Sequence, residues 1–193
     1  MSRPGGAGRL RIIGGRWRSR LIAFDPGRGV RPTPDRVRQT LFDWLAPRIE
    51  GAHCLDLFAG SGALGLEALS RGAATCTFVD AGGTQIAAIN AALLALGAAG
   101  QAEVLAGDAR AWLARDRRRY EIVFVDPPYG SGLLEPVLQA LPRHLAGGNR
   151  VFLEWPEAAR PRLPPGAEIL REKAAGQVSY ALATFQAEAE AAP

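Results

Sequence analysis

From residue 52 onward, short apolar runs alternate with helix-patterned stretches, and this rhythm constrains the fold more than any other feature of the chain. The runs fall at 54–58, 76–80, 102–106, 122–126 and 151–155. Between them lie stretches such as 62–70, stopped by Gly72, and 86–96, stopped by Gly97. Near-continuous apolar strands must be covered on both faces, so the pattern predicts an α/β fold around a mostly parallel sheet. The rhythm breaks at the C-terminal end. There 169–172 and 178–185 flank Ala175-Gly176 and read as an antiparallel hairpin, which brings the sheet to seven strands.

The segment before residue 52 follows other rules. Residues 9–24 suit a hairpin turning at Gly14-Gly15, with Arg16, Arg18 and Arg20 on its second strand beside Trp17. A helix is predicted from Pro34, with Thr33 as N-cap and Asp35 at the positive end of its dipole. Val37, Leu41, Trp44 and Leu45 form its buried stripe. Charge is concentrated in the same segment. Residues 1–38 hold ten arginines against Asp25 and Asp35, a net of +8 in a chain of net +4, which leaves the remainder at −4. A basic front edge on an acidic body implies a polyanionic partner. The expected division is a basic extension over 1–50, a catalytic domain over 51–186 and a tail over 187–193.

Other function classes find no support. No apolar run reaches the roughly 18 residues of a membrane span, and no secretory signal is visible, so a cytoplasmic protein is expected. Cys54 and Cys76 read as buried free thiols. His53 and His144 lie too far apart to suggest a metal site, and none is expected.

Open parallel sheets bind ligands beyond the carboxyl ends of their strands, where the unusual residues of this chain lie. The first strand runs through Asp56 to Phe58 and enters the turn Ala59-Gly60-Ser61-Gly62, which opens a helix. Glycines let the backbone approach a ligand, and the helix N-terminus offers N–H groups to an anion. Asp80, ending the second strand, can take both hydroxyls of a ribose. After the third strand, Asp108 and Ala109 are placed to meet an adenine, with Asp108 bonding its amino group. The spacing Gly60-x-Gly62-x-x-Gly65 with Asp80 also satisfies the dinucleotide fingerprint, so a nicotinamide oxidoreductase competes. Against it, Asp56 would face a pyrophosphate unfavourably, whereas the ammonium of S-adenosyl-L-methionine would find a partner there.

The fourth strand ends Asp126-Pro127-Pro128-Tyr129. The prolines stop the sheet and stiffen its exit, holding a polar acceptor and an aromatic ring at the cleft mouth. Transfer of a methyl group to a base amino nitrogen needs both. Asp126 and the Pro127 carbonyl can bind the two amino hydrogens, and Tyr129 can stack on an extruded base.

These motifs resemble the amino methyltransferases of nucleic acids. The stretch from Arg31 to Leu45 narrows the resemblance, with Ile13-Gly-Gly-Arg-Trp-Arg18, residues 54–71 and residues 171–180. Together they resemble the RsmD family over about residues 10–186. That resemblance implies a Rossmann-like class I methyltransferase fold and methylation of guanine N2 in bacterial 16S ribosomal RNA by a monomer acting on a small-subunit particle. It implies that Asp56, Gly60 and Gly62 hold the methionine end of the cofactor, Asp80 the ribose and Asp108 the adenine. Asp126, Pro127 and Tyr129 would carry the reaction, and Arg31, Arg36 and Arg38 would face RNA. A DNA adenine-N6 methyltransferase, the nicotinamide enzyme and a non-catalytic RNA-binding protein remain the alternatives.

Overall fold

The computed structural model describes residues 8–26 and 32–188. Its centre is a seven-stranded sheet made of β3 (His53–Asp56), β4 (Thr75–Asp80), β5 (Ala102–Ala106), β6 (Tyr120–Val125), β7 (Leu145–Pro156), β8 (Glu168–Ala175) and β9 (Val178–Thr184). The order across the sheet is β5-β4-β3-β6-β7-β9-β8. The first five of these run parallel, and β9 joins both β7 and β8 antiparallel. Chain direction across the sheet reverses between β3 and β6, the switch point at which such sheets bind ligands.

Side chains alternate strictly between the two faces. Cys54, Phe78, Ile122, Phe124, Phe152, Tyr180 and Leu182 pack on one side. Leu55, Val79, Val123, Val125, Leu153 and Ala181 pack on the other. The first face is covered by α1 (Asp35–Leu45), α2 (Ala63–Ser70) and α3 (Gly83–Ala95), the second by α4 (Ala109–Arg115) and α5 (Leu134–Ala140). Each large side chain fully buried in such a layer contributes roughly 1.5–3 kcal/mol. Among the described residues, no helix is long and apolar enough to cross a membrane.

The N-terminal hairpin pairs β1 (Gly8–Arg11) with β2 (Leu21–Phe24). Its turn differs from the expected Gly14-Gly15 reversal. Residues 15–17 wind into a short 3-10 turn, and Ser19 takes a positive φ of 69° before the chain re-enters the ladder. Arg16, Arg18 and Arg20 therefore lie in the connection rather than on a strand. The cause is docking against α2. Glu67 accepts the Ile13 and Gly14 N–H groups at 2.9 and 2.8 Å, and the Ser70 hydroxyl donates to Gly14 O at 2.6 Å. Gly15 adopts φ 74° there, and a Cβ on it would stand 1.8 Å from the Ser70 carbonyl oxygen, so only glycine fits.

Helix α1 begins one residue later than expected. Pro34 stands at its N-cap and Thr33 makes no capping bond. Phe42 joins Val37, Leu41 and Leu45 on the buried face, whereas Trp44 is only half-buried and stacks on Tyr180 at 5.7 Å. At the other end of the chain Ala187 still packs on the core and the Glu188 N–H donates to Pro142 O at 3.0 Å. Residues 189–193, the rest of the expected tail, lie outside the described residues, as does Arg31.

Candidate active site

The strand ends and their loops enclose a cleft of about 820 Å³ on the face covered by α1. The register explains why its polar groups are carboxylates held under tension with their surroundings. Phe78, Asp56, Phe124 and Phe152 are successive partners across four strands, so Asp56 sits in a row of buried rings. It is 3% exposed, and burial pushes its carboxyl up to about 7. The Gly65 N–H, donating to Asp56 Oδ2 at 2.9 Å, opposes that shift, and Asp80 reinforces it.

Asp80 shapes the glycine turn. Its Oδ2 accepts the Gly60 N–H and its Oδ1 the Gly82 N–H, each at 2.7 Å. Each oxygen keeps a lone pair for a ligand hydroxyl. Gly60 and Gly62 take φ 49° and 74°, turning the chain from β3 into α2. Phe58, half-buried against the second core layer, and the buried Ala59 line the same turn. Asp108 caps α4 by accepting the Ala111 N–H at 2.9 Å, which commits one of its oxygens to the helix and places Ala109 in the first turn.

Asp126, Pro127, Pro128 and Tyr129 line the same cleft, at the exit of the strand next to that of Asp56. Pro127 is buried and Pro128 exposed, so the stiffened exit crosses from core to solvent within two residues. The carboxyl of Asp126 is held well above its usual range, by burial first, then by Glu154 and by Asp56. Glu154 was not anticipated. It follows Leu153, the register partner of Val125, and so stands beside Asp126 on the cleft wall. It is 8% exposed, burial raises its pKa, and the Tyr129 hydroxyl donates to its Oε1. A lone carboxylate in Phe152-Leu153-Glu154-Trp155 was the available signal. Gln85 and Tyr180 also line the cleft without having been singled out.

The arginines separate into groups. Arg16 donates to Gln101 Oε1 and lies 4.1 Å over the Trp17 ring, while Arg20 donates to Ala95 O at 3.2 Å. Both tie the hairpin connection to the sheet-covering layer. The Arg18 and Arg36 side chains are exposed and make no hydrogen bond or ion pair among the described residues. Arg38, expected to face RNA, must be removed from that set. It is fully buried and donates to Thr33 O, Arg11 O, Asp35 Oδ1 and Glu67 Oε2 at 3.1, 2.9, 2.6 and 3.4 Å. Its donors are satisfied internally, and through Thr33 it fixes the 32–34 segment that walls the cleft.

Known proteins bear on this geometry. Residues 10–184 match the family described as conserved hypothetical protein 95. The chain is 46% identical to ribosomal RNA small subunit methyltransferase D of Escherichia coli, over 96% of this chain and 94% of that protein. The Haemophilus influenzae protein of the same name is 38% identical over 93% and 95%. Among solved structures, yhhF from Escherichia coli superposes with a TM-score of 0.85 at 45% identity, covering 94% of this chain and all of that one.

Proposed function

The chain belongs to the family described as conserved hypothetical protein 95, the RsmD family that its motifs resemble, and from that premise we propose that it methylates N2 of a guanine in 16S ribosomal RNA. The relatives' names support methylation of small-subunit ribosomal RNA. The base and the atom rest on this site. The observation that carries the reading is that the Asp126–Tyr129 exit loop lines one cleft together with Asp56, Asp80 and Asp108.

The residues present fit S-adenosyl-L-methionine. A buried carboxylate suits its ammonium, a second carboxylate its ribose, and the glycine turn at the start of α2 leaves space for its methionine end. When bound, it supplies an electrophilic methyl group on a sulfonium. The chain's own residues do the rest. An exocyclic amine is a poor nucleophile because its lone pair is shared with the ring. Asp126 and the Pro127 carbonyl accept its two hydrogens and aim the nitrogen, so catalysis is mainly positioning and electrostatics. Tyr129 is 54% exposed, a ring available for stacking on an extruded base. A finely tuned general base is unnecessary, since the nitrogen becomes strongly acidic as it gains the methyl. An Asp126 oxygen is where the departing proton first lands.

The exposed Arg18 and Arg36 would meet phosphates, and the 1–50 segment would be the RNA-facing extension of the catalytic domain. The test is an assay with labelled S-adenosylmethionine on naked ribosomal RNA and on assembled small subunits, followed by nucleoside analysis. Label on guanine N2 is expected. Label on adenine, or on no nucleoside, would overturn the proposal.

A further inference from the structure

We propose that Glu154 selects guanine in this cleft by accepting the N1–H of the base while Asp126 accepts a hydrogen of the neighbouring amino group. The inference rests on the site being a guanine N2 methyltransferase and adds the residue that reads the base.

An electrostatic imbalance marks this wall of the cleft. Asp126 and Glu154 lie side by side at the ends of β6 and β7, both raised in pKa by burial, Asp126 further by the charge of Glu154. Neither makes an ion pair among the described residues, and Asp126 makes no hydrogen bond there either. A half-buried Asp126 beside a buried Glu154, with no cation at either, is an arrangement that a ligand bringing hydrogen-bond donors would relieve. The surroundings of Glu154 supply one. Its Oε1 takes the Tyr129 hydroxyl, Tyr180 is its register partner on β9, and Asp126 stands on the other side. Its second oxygen remains, on the cleft wall.

Guanine matches that arrangement. Its Watson–Crick edge places N1–H next to the 2-amino group, a row of donors for two adjacent acceptors. Adenine places an unprotonated N1 beside its amino group, so its lone pair would meet the Glu154 oxygen. An extruded base is read on this edge, and a buried polar group left facing the wrong partner discriminates strongly. Tyr129 then has two contacts: its ring stacks on the base, and its hydroxyl occupies Oε1 of Glu154, leaving the other oxygen to the base.

The test compares a ribosomal RNA fragment carrying guanine at the methylated position with one carrying 2-aminopurine there. The analogue keeps the 2-amino group but has a bare N1. The wild type should prefer guanine by roughly 10–100-fold in kcat/KM. Glu154→Gln should narrow that preference several-fold, because an amide can turn its N–H toward the bare N1. Glu154→Asp, with its carboxylate withdrawn, should lose activity on guanine without gaining any on 2-aminopurine. Tyr129→Phe should keep the preference. Calorimetry should find cofactor affinity unchanged in all three, which excludes a folding defect. If the wild type labels guanine but Glu154→Gln discriminates as well as wild type does, the assignment is wrong and the guanine reading stands. The assignment is also overturned if Tyr129→Phe loses the preference equally, since Glu154 then acts only by holding the ring. A wild type that never labels guanine overturns the underlying reading and this inference with it.

Discussion

Asp56 carries a conflict between stability and binding within one side chain. Its folded-state pKa of about 7 lies above the ordinary carboxyl value of 3.8. Between those values the folded protein holds a proton that the unfolded chain has released, so stability falls as pH rises through that window and the full cost is present above about 7. Asp56→Asn keeps an acceptor for the Gly65 N–H but removes the buried charge. The variant should melt higher than the wild type at pH 8, and the two should converge near pH 4, as read by thermal unfolding without ligand. Cofactor binding should move the other way. Below about 7 the wild type must release a proton to meet an ammonium; above about 8 an amino group of the ligand loses its own charge. Calorimetry across pH should therefore find a narrow maximum of affinity that Asp56→Asn lowers and flattens. On the neighbouring strand's exit, Asp126→Ala should leave cofactor affinity nearly unchanged and abolish most turnover, because its contact is made to the reacting amine.

At the scale of elements, the hairpin, α1 and α2 meet at Glu67. This carboxylate is fully buried and takes two backbone N–H groups from the hairpin connection, Arg38 from α1 and Arg71 from its own helix. Glu67→Ala would leave the buried Arg38 with only the exposed carboxylate of Asp35 for counter-charge and two N–H groups unpaired, at a cost of about 3–5 kcal/mol. Urea unfolding should show the unfolding free energy falling by that amount, with Glu67→Gln intermediate. None of this was visible in the sequence. The buried stripe of α1 was, because Val37, Leu41 and Leu45 recur at helical spacing. Yet Arg38 stands on the same face, and its partner Glu67 comes from a helix that only the tertiary fold brings near. The strands and the Asp–Gly turns were legible for the opposite reason: each is local, an apolar run closed by a carboxylate or a glycine. Glu154 fell between these cases. Its strand was recognisable, but its neighbour Asp126 is known only once β7 is placed beside β6.

Across the whole molecule, ligands should report on the fold they bind. S-adenosylmethionine at a hundred times its dissociation constant should stabilise the protein by about 2.7 kcal/mol, a rise of roughly 5–10 °C in melting temperature for a chain of this size. NAD at the same concentration should leave the melt unchanged, and a shift with NAD alone would revive the nicotinamide enzyme. RNA should be felt at the exposed arginines. Arg18→Ala and Arg36→Ala should each flatten the slope of log affinity against log salt by roughly 0.7 for single-stranded RNA. Arg38 cannot be tested this way, because its loss would first be felt as unfolding.

The docking of the hairpin also decides what can be exchanged between proteins of this kind. Leu10, Ile12, Ile22 and Phe24 belong to the same core as the sheet, and Glu67 answers to backbone donors that only this connection presents. Deleting the hairpin would therefore uncover apolar surface and strand an acid inside α2. A transplanted hairpin would inherit the same obligation, down to a glycine at position 15. The segment is thus no modular cassette: any change in what it contacts has to be written into the side chains of its connection, with its backbone and Glu67 left as they are.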